Sequence, residues 1–504
     1  MGDTVITARI GHQIFRYQTD LETYFQPFRD KIVGVDQTFE SPYGVQKILY
    51  ADWTASGRLY LPIEKKISDV FGPYMANTHT ESNLTGGLMT QAYEEAKRLI
   101  KRHVHADERD VILLDGSGMT SGMAKFQRIL GLKGPETWKR ALSIPERNRP
   151  IVFISHMEHH SNQTSWLETI ADVRIVPADS RGGIDQEVLK SLLIKYKDRP
   201  FKIGAFTACS NVTGRRLPYH DLARIMHQFK GICLVDFAAS APYDEINMHP
   251  DDPTAKLDGI FFSPHKFLGG PGASGVAIFD SRLYHNTVPD QPGGGTVLWT
   301  NPWGGHHYYP DIEKREEGGT PGILQGIRAA LAIKLKEQMG TEKIREREEE
   351  LLSIVLPGLK KVPGLRILDE QCKDRLGILS FYVEDLHYNL IVRLLNDRFG
   401  FQVRGGCSCA GTYGHYLLDI DQETSAKITA QIDKGDHSTK PGWVRFSVHP
   451  TMTNREAYGF VKAMQEIVAN SDSLKKDYLF DRKSNDFFYI RHERANFEEL
   501  FRLD

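Results

Sequence analysis

The feature that most constrains the fold is the alternation of apolar strand patterns with helical patterns between residues 111 and 279. The strand patterns cover residues 111–114, 151–155, 173–176, 203–207, 232–235, 260–262 and 276–279. Helical patterns separate several of them, for example 186–196 and 219–229. Strands that alternate with helices build a mostly parallel sheet covered on both faces, and ligands of such sheets bind at the carboxyl ends of the strands. We therefore expect an α/β fold with its site at that edge.

Size and charge exclude several classes of protein. A chain of 504 residues with 40% hydrophobic and 25% charged residues is typical of a globular protein of two or more domains. The net charge of -2, without a dense basic patch, argues against nucleic acid as a partner. No apolar run approaches a membrane span and the start of the sequence lacks a signal-peptide core, so we expect no membrane contact. Five thinly spread cysteines favour reduced thiols and a cytoplasmic location.

Pattern changes along the chain predict four parts. They are an N-terminal arm at 1–45, a large domain at 46–325, a small C-terminal α+β domain at 326–470 and a C-terminal extension at 471–504. The small domain is predicted from strand patterns at 378–383, 401–404 and 443–448 and from helical patterns at 386–399 and 454–469.

A lysine follows the apolar run 257–262, just before a glycine-rich turn at 269–275. The run predicts a buried strand that delivers Ser263, His265 and Lys266 to the edge of the sheet. Desolvation there lowers the pKa of an amine, which prepares it to form an imine with an aldehyde cofactor. On this motif alone, a solvated loop lysine is an equal alternative.

A second glycine-rich turn, at 116–122, stands between the first strand pattern and a helical pattern that starts near Ala124. Such a turn exposes N–H groups at a helix N-terminus, which suits a phosphate. Its spacing is neither that of a P-loop nor that of a dinucleotide-binding turn. A purely structural turn remains the alternative.

Polar residues follow three other strand patterns. His159 and His160 come after the second pattern, Asn211 after the fourth, and Asp236 directly after the fifth. The histidines can be metal ligands, surface residues or a flat ring placed over a planar cofactor. A buried aspartate needs a cation, which either a structural arginine or a protonated pyridine nitrogen supplies.

The spacing of Asp236 and Lys266 links two of these motifs. They are 30 residues apart, the length of one strand-helix-strand unit, so we expect them on neighbouring or near-neighbouring strand ends. An aspartate that keeps a pyridine nitrogen protonated and a lysine that carries the aldehyde are the main parts of a pyridoxal-phosphate site.

With these motifs in this order, residues from about 50 to about 470 resemble the class V aminotransferase family, and within it the cysteine desulfurases and selenocysteine lyases. The resemblance implies fold type I of the transferases that depend on pyridoxal 5'-phosphate (PLP), with a large mostly parallel-sheet domain and a small α+β C-terminal domain. It also implies a homodimer.

The resemblance gives individual residues a role toward the cofactor. Lys266 is implied as the Schiff-base lysine, Asp236 as the partner of the ring nitrogen, and His159 as the catalytic residue stacked on the ring. The other implied cofactor contacts are Asn211 at the phenolic oxygen, Met119, Thr120, Ser263 and His265 at the phosphate, and Gly319 and Thr320 reaching in from the other subunit. No metal is implied.

On the substrate side the resemblance implies Ala55, in a turn of small residues at 51–57, together with His79 and Arg445. Arg445 is the implied ligand of the substrate α-carboxylate, a role that needs the planar two-pronged guanidinium.

The stretch 404–411 bears on the reaction. Desulfurases of the family carry a nucleophilic cysteine after Arg-x-Gly-x-x, and Cys409 occupies that place. A thiolate there can attack the sulfur of the bound substrate and leave as a persulfide. Cys407 is expected to be a bystander, with a role in accepting the sulfur as the alternative. Cys407 and Cys409 could also be two ligands of a metal site, but the sequence has no second Cys/His pair at zinc spacing to complete it.

The leading prediction is thus a PLP-dependent cysteine desulfurase that converts L-cysteine to L-alanine and an enzyme persulfide, with a sulfur-acceptor protein as a possible partner. The alternative is a class V aminotransferase, epimerase or lyase acting on another amino acid. An inactive scaffold is a third interpretation, which the intact cofactor motifs disfavour. The chain departs from the family in three places. Ala239 stands where the family has a glutamine, so one hydrogen bond to the cofactor oxygen is missing or replaced. The insertion at 410–444 and the extension at 471–504 bear on the substrate.

Overall fold

The structure is a computed structural model that describes residues 9–10, 13–14, 19–78, 80, 82–491 and 497–503. In chain order the strands are β1 (Arg9–Ile10), β2 (Gln13–Ile14), β3 (Thr38–Ser41), β4 (Gly44–Lys47), β5 (Leu49–Tyr50), β6 (Asp110–Asp115), β7 (Ile151–Ser155), β8 (Asp172–Val176), β9 (Lys202–Thr207), β10 (Ile232–Asp236), β11 (Gly259–Phe262), β12 (Gly275–Asp280), β13 (Val297–Thr300), β14 (His306–Tyr308), β15 (Leu365–Ile367), β16 (Ile378–Val383), β17 (Phe401–Gln402), β18 (Arg404–Gly406), β19 (Trp443–Ser447), β20 (Tyr478–Asp481) and β21 (Asp486–Tyr489).

The helices, in chain order, are α1 (Asp20–Arg29), α2 (Leu61–Lys65), α3 (Leu84–His103), α4 (Met119–Ile129), α5 (Glu136–Ala141), α6 (His160–Leu167), α7 (Gln186–Lys195), α8 (Tyr219–Gln228), α9 (Ile312–Glu316), α10 (Ile323–Met339), α11 (Thr341–Leu359), α12 (Tyr388–Phe399), α13 (Gly411–Leu417), α14 (Gln422–Ile432), α15 (Asn454–Ala469) and α16 (Ser471–Leu474). Within the described part of the chain, no helix is both long enough and apolar enough to cross a membrane.

Strands β6 to β12 form a seven-stranded sheet within the described residues, in the order β6-β12-β11-β10-β9-β7-β8. The pairs β7–β8, β7–β9, β9–β10 and β10–β11 are parallel, while β12 runs antiparallel to both β11 and β6. The mostly parallel α/β sheet predicted from the sequence is therefore confirmed. Its topology brings the carboxyl ends of β6, β7, β9, β10 and β11 to one edge.

Both faces of this sheet are covered by helices. In β11, Ile260 and Phe262 pack into one hydrophobic cluster and Phe261 packs into the cluster on the opposite face. Residues of α3, α7, α8 and α10 belong to the first cluster, and residues of α4 and α6 belong to the second. Strands buried on both faces are continuous apolar runs in the sequence, which is why periodicity predicted them.

A second, antiparallel sheet has the order β15-β16-β19-β18. Residues of α11, α12 and α15 share its hydrophobic cluster, in which the rings of Phe446 and Phe460 stack with centroids 3.8 Å apart. Helix α15 begins at a capping box made by Thr453 and Glu456, which satisfies two N–H groups at its start. The elements agree with the expected α+β character, while the boundaries of the four predicted parts remain predictions.

The strand predicted at 401–404 is divided between two sheets. Phe401–Gln402 pairs in parallel with Leu49–Tyr50, whereas Arg404–Gly406 joins β19 of the antiparallel sheet. Both halves are extended, so apolar periodicity alone could not reveal that their partners differ. The division joins the turn after β5 to the part of the chain that carries Arg404.

The described part of the N-terminal arm packs on the body of the protein. Arg29 in α1 forms an ion pair with Glu456 at 2.5 Å, and the Glu22 carboxylate accepts a hydrogen bond from the Asn454 N–H at 2.9 Å. The arm is therefore anchored at the start of α15.

Candidate active site

A cavity of about 580 Å³ opens at the carboxyl edge of the large sheet. This volume is in the range of small-molecule and cofactor sites. The predicted site residues on its wall are Ala55, Met119, Thr120, His159, Asn211, Asp236, Ser263, His265, Lys266, Cys409 and Arg445. The structure thus brings together residues that are as far apart in the sequence as Ala55 and Arg445.

The glycine-rich turn forms one end of the cavity. Helix α4 begins at Met119, earlier than the helical pattern indicated, and the Met119 N–H donates to Ser263 Oγ at 2.8 Å. Gly116 has a φ of +53°, which favours glycine, and a Cβ on Gly118 would lie 3.0 Å from Ser263 Oγ. The turn, the helix N-terminus and the Ser263 hydroxyl are thus packed into one cradle that suits a phosphate.

Lys266 and Asp236 stand on adjacent strand ends. Strands β10 and β11 are hydrogen-bonded neighbours, with Asp236 opposite Phe261, and Lys266 lies in the 3₁₀ turn Pro264–Lys266 that follows β11. Burial lowers the pKa of Lys266 to about 8, against an opposing contribution from Asp236. Burial raises the pKa of Asp236 to about 6, although its Oδ1 accepts a hydrogen bond from the Ala238 N–H at 2.8 Å. Because both groups are buried, each is poorly solvated as an ion. A bound cofactor can provide both of them with a partner.

His159 is the N-terminal cap of α6. Its Nδ1 accepts a hydrogen bond from the Ser161 N–H at 3.1 Å, so a neutral ring carries its proton on Nε2. Burial lowers the pKa of His159 to about 3, and the charge on Lys266 acts in the same direction. The side chain therefore presents a neutral flat ring to the cavity.

Glu158 supports this wall, and sequence analysis gave it no role. The carboxylate is buried and accepts hydrogen bonds from the Asn162 side chain at 2.8 Å and from the Thr207 N–H at 3.0 Å. Burial raises its pKa to about 7. Because Thr207 ends β9 and Glu158 follows β7, these bonds hold two strand ends together beneath His159.

Asn211 lies between the cavity and the cysteine loop. Its Nδ2 donates to the Ser408 carbonyl at 2.7 Å. Its Oδ1 is buried and has no hydrogen-bond partner among the residues that the structure describes. A buried polar atom without a partner is costly, so this atom offers an unfilled contact on the cavity wall.

Arg445 is buried in β19, directly opposite Arg404 of β18. Its Nη2 donates to Asp52 Oδ1 at 2.7 Å and its Nη1 to the Asn211 carbonyl at 3.2 Å. Arg404 Nε donates to the other carboxylate oxygen of Asp52 at 2.9 Å. One carboxylate thus bridges two arginines. The sequence offered no signal for this role of Asp52 beyond its place in the small-residue turn.

The cysteine loop has a left-handed backbone at two successive non-glycine residues, with φ of +50° at Ser408 and +57° at Cys409. This conformation is uncommon outside glycine and is often found at functional sites. His160 holds the loop, because its N–H donates to the Cys409 carbonyl at 2.8 Å and its Nε2 accepts from the Gly411 N–H at 2.9 Å. Cys409 is exposed, whereas Cys407 is half-buried.

Two of the predicted site residues that the structure describes are not on this cavity wall. Gly319 and Thr320 lie elsewhere on the surface, and the Thr320 hydroxyl accepts a hydrogen bond from Asn77 Nδ2 at 3.2 Å. His79 lies outside the described residues.

Comparison with known proteins gives a consistent result. The family model for aminotransferase class-V matches residues 49–458. A probable cysteine desulfurase of Halalkalibacterium halodurans is 28% identical over 376 residues, which cover 72% of this chain and 84% of the relative. A probable cysteine desulfurase of Staphylococcus aureus strain Mu50 is 26% identical over 369 residues, with the same coverage.

Solved structures share the fold. A cysteine desulfurase from Thermococcus onnurineus NA1 matches with a TM-score of 0.68 and 22% identity, covering 88% of this chain and 98% of its own. The cysteine desulfurase CsdA from Escherichia coli matches with a TM-score of 0.66 and 20% identity, covering 89% of this chain and 98% of its own.

Proposed function

The chain belongs to the aminotransferase class-V family, and from this premise we propose that it is a PLP-dependent cysteine desulfurase, which converts L-cysteine to L-alanine and a persulfide on Cys409. The family resemblance and fold type I predicted from the sequence are confirmed. One observation carries the proposed reaction: Cys409 lies on the wall of the same cavity as Lys266 and Arg445.

The residues at the floor of the cavity fit PLP. Asp236 is a buried carboxylate whose raised pKa marks the lack of a sufficient cation, which a protonated pyridine nitrogen supplies. Asn211 Oδ1, which lacks a partner in the part of the chain that the structure describes, offers a polar contact, and the flat His159 ring offers a stacking contact. The α4 N-terminus with Ser263 suits the phosphate. When bound, the cofactor supplies an electron-withdrawing ring that stabilises negative charge on the substrate.

Arg445 fits the α-carboxylate of the substrate. Its Nε is buried and has no hydrogen-bond partner among the described residues, so the guanidinium retains an unused donor beside the one that Asp52 occupies. Two parallel N–H groups match the two oxygens of a carboxylate. Arg445 thereby orients an amino acid with its amino group toward Lys266.

Lys266 is suited to moving protons. With a pKa of about 8, its amine is partly neutral at physiological pH, so it can accept a proton from the substrate carbon and return it. The neutral His159 ring adds no charge to this site.

Cys409 is placed to take the sulfur. Its thiolate sulfur forms an S–S bond with the sulfur of the substrate as the substrate Cβ–S bond breaks, and the electron pair of that bond remains with carbon, which is then protonated to give alanine. The exposure of Cys409 allows a sulfur acceptor to reach the persulfide. The proposed setting is the reducing cytoplasm, which suits five free cysteines.

The proposed enzyme is a homodimer. Gly319 and Thr320 do not line the cavity of their own chain, and Thr320 is exposed, which supports the expectation that this segment completes the phosphate site of a second subunit. Closed two-fold symmetry is also the commonest symmetry of soluble oligomers.

The test is to incubate the purified protein, loaded with PLP, with L-cysteine and a reductant and to measure sulfide and alanine. We expect both products in equal amounts, and neither from Lys266→Ala. Pyruvate and ammonia in place of alanine, or turnover of other amino acids only, would favour the lyase or aminotransferase alternative.

A further inference from the structure

The two segments that distinguish this chain from its family, the insertion at 410–444 and the extension at 471–504, contact each other. The extension forms the hairpin of β20 and β21. The N–H of His437, in the insertion, donates to the Arg482 carbonyl in the hairpin turn at 3.0 Å. The two additions are thus hydrogen-bonded to each other, and β21 of the extension packs against α12.

Asn485 is the buried residue of the hairpin turn. It is 6% exposed, although its neighbours Lys483 and Ser484 are exposed, and its φ of +56° is one that asparagine tolerates. A turn residue whose side chain points inward is under a specific constraint, because turn tips normally face solvent.

The polar groups of Asn485 bind three successive residues at the start of α12. Nδ2 donates to the Tyr388 hydroxyl at 2.6 Å, Oδ1 accepts from His387 Nε2 at 3.2 Å, and the carbonyl accepts from Asn389 Nδ2. His387 Nδ1 accepts a hydrogen bond from the Asn389 N–H at 3.1 Å, and burial lowers the pKa of this histidine. The neutral ring therefore carries its proton on Nε2, as the bond to Asn485 requires. Asn485 therefore fixes both Tyr388 and Asn389.

Tyr388 and Asn389 in turn lie against Gly405 of β18. A Cβ on Gly405 would lie 2.2 Å from Asn389 Oδ1 and 3.2 Å from the Tyr388 ring. The Tyr388 hydroxyl also donates to the Lys440 carbonyl at 3.2 Å, in the insertion. Only a residue without a side chain fits at position 405, so β18 packs closely on Asn389 and Tyr388, and a shift of either residue changes the surface on which β18 rests.

Strand β18 carries the substrate-side chemistry. It begins at Arg404, which shares Asp52 with Arg445, and it ends at Gly406, directly before the loop of Cys407 and Cys409. We infer that Asn485 is a positioning residue of the active site, which sets the place of Arg404 and Cys409 through Tyr388 and Asn389. The role of Cys409 in this inference rests on the proposed function. The contacts from Asn485 to β18 do not depend on it.

Two readouts on the PLP-loaded full-length protein test the connection. The first is kcat/KM for L-cysteine. The second is the rate at which iodoacetamide alkylates Cys409 in the absence of substrate, located by peptide mass, which depends on the loop and not on turnover. Asn485→Ala removes the side-chain contacts, and Tyr388→Phe removes the hydroxyl that accepts from the Asn485 amide and donates to the Lys440 carbonyl. Lys483→Ala, at an exposed site of the same turn, is the matched control.

We expect Asn485→Ala to lower kcat/KM about tenfold, since small displacements of positioned groups have effects of this order or larger. The alkylation rate of Cys409 should change about threefold or more, because thiol reactivity depends on its surroundings. Tyr388→Phe should act in the same direction and add little to Asn485→Ala, as expected for two residues of one contact. Cofactor absorbance and the control should match the wild type.

Alkylation rates of Asn485→Ala and Tyr388→Phe within the error of the wild type would overturn the inference. So would fully additive effects of the two substitutions. If the wild type releases no sulfide from cysteine, the proposed function fails, and the alkylation rates alone decide whether Asn485 positions the loop.

Discussion

Asp52 and Arg445 are joined by a hydrogen bond of 2.7 Å between Oδ1 and Nη2, so the arginine expected to bind the substrate carboxylate already holds a carboxylate of its own chain. Both side chains are largely shielded, with 15% and 3% of the side chain exposed. A substrate must therefore share or displace Asp52. The same pair neutralises a buried guanidinium, whose pKa burial lowers.

The first prediction follows from this competition. Asp52→Asn removes a negative charge from the place where the substrate carboxylate binds, so KM for L-cysteine should fall about threefold to tenfold. The cofactor-free protein should become less stable, because Arg445 loses its counter-charge. Steady-state kinetics and thermal unfolding measure the two effects. Asp36→Asn, which removes an exposed carboxylate that pairs with Lys47, is the control and should change neither. A raised KM for Asp52→Asn would contradict competition.

The second prediction concerns the shape of the Arg445 side chain. Arg445→Lys keeps the charge and loses the two-pronged donor, so kcat/KM should drop by the equivalent of about 1.5 to 3 kcal/mol. The cofactor spectrum should stay unchanged. Arg404→Lys, at a side chain that is 45% exposed, should have a smaller effect. Loss of bound cofactor from Arg445→Lys would assign the arginine a structural role instead.

The third prediction is a pH dependence of cofactor capture. Only a neutral amine attacks an aldehyde, and burial lowers the pKa of Lys266 from 10.5 to about 8. The rate at which the cofactor-free protein takes up PLP covalently, measured by borohydride trapping, should rise with pH and level off above about 8. Lys266→Ala should trap nothing. A rate that still increases steeply toward pH 10 would show an amine of ordinary pKa.

The same shift affects stability with a defined sign. Between pH 8 and 10.5 the unfolded chain binds the Lys266 proton more tightly than the folded chain does, so this group makes the free energy of unfolding of the cofactor-free protein rise with pH across that window. Below pH 8 its unfavourable contribution is fully present. Urea titrations of the wild type and Lys266→Met across this range isolate the contribution.

The fourth prediction separates the two cysteines. Cys409→Ala should abolish sulfide release while PLP and L-cysteine still bind, as followed by the cofactor spectrum. Cys407→Ala should have a milder effect. In the wild type, mass spectrometry should find one added sulfur atom on the peptide that contains Cys409. Full activity of Cys409→Ala, with no such added mass in the wild type, would rule out desulfuration as the reaction. The assignments of cofactor and fold would still hold.

The fifth prediction is the assembly. One chain has a mass of 57.2 kDa, and light scattering of the PLP-loaded protein should give twice that mass. Thr320→Ala should weaken PLP binding in that dimer if the segment completes the partner's phosphate site. A monomer that still holds PLP would contradict the shared site.

Much of the large sheet could be predicted from the sequence because its strands are buried on both faces and appear as apolar runs. The residues at the strand ends were found for a related reason, since Lys266, Asp236, Asn211 and His159 each follow such a run. Their convergence on one cavity then follows from parallel topology.

Other parts of the site depend on contacts that leave no local pattern. The bridge from Asp52 to two arginines joins residues 352 and 393 positions apart. The role of His160 rests on its backbone N–H and one ring nitrogen, which any periodicity ignores. The division of the strand at 401–404 depends on which partner each half finds. Such features need the tertiary arrangement before they can be recognised.

The parallel pairing of Leu49–Tyr50 with Phe401–Gln402 has a consequence for the order in which the chain acquires its parts during synthesis. All strands of the large sheet lie before residue 281, so that sheet can assemble while the later residues are still being added. The turn that carries Asp52 must wait, because Phe401–Gln402, which pairs with the strand before this turn, and Arg445 both lie in the last quarter of the chain. Closing so long a loop is slow, and the carboxylate-binding half of the site is therefore expected to be the last part to form on the ribosome.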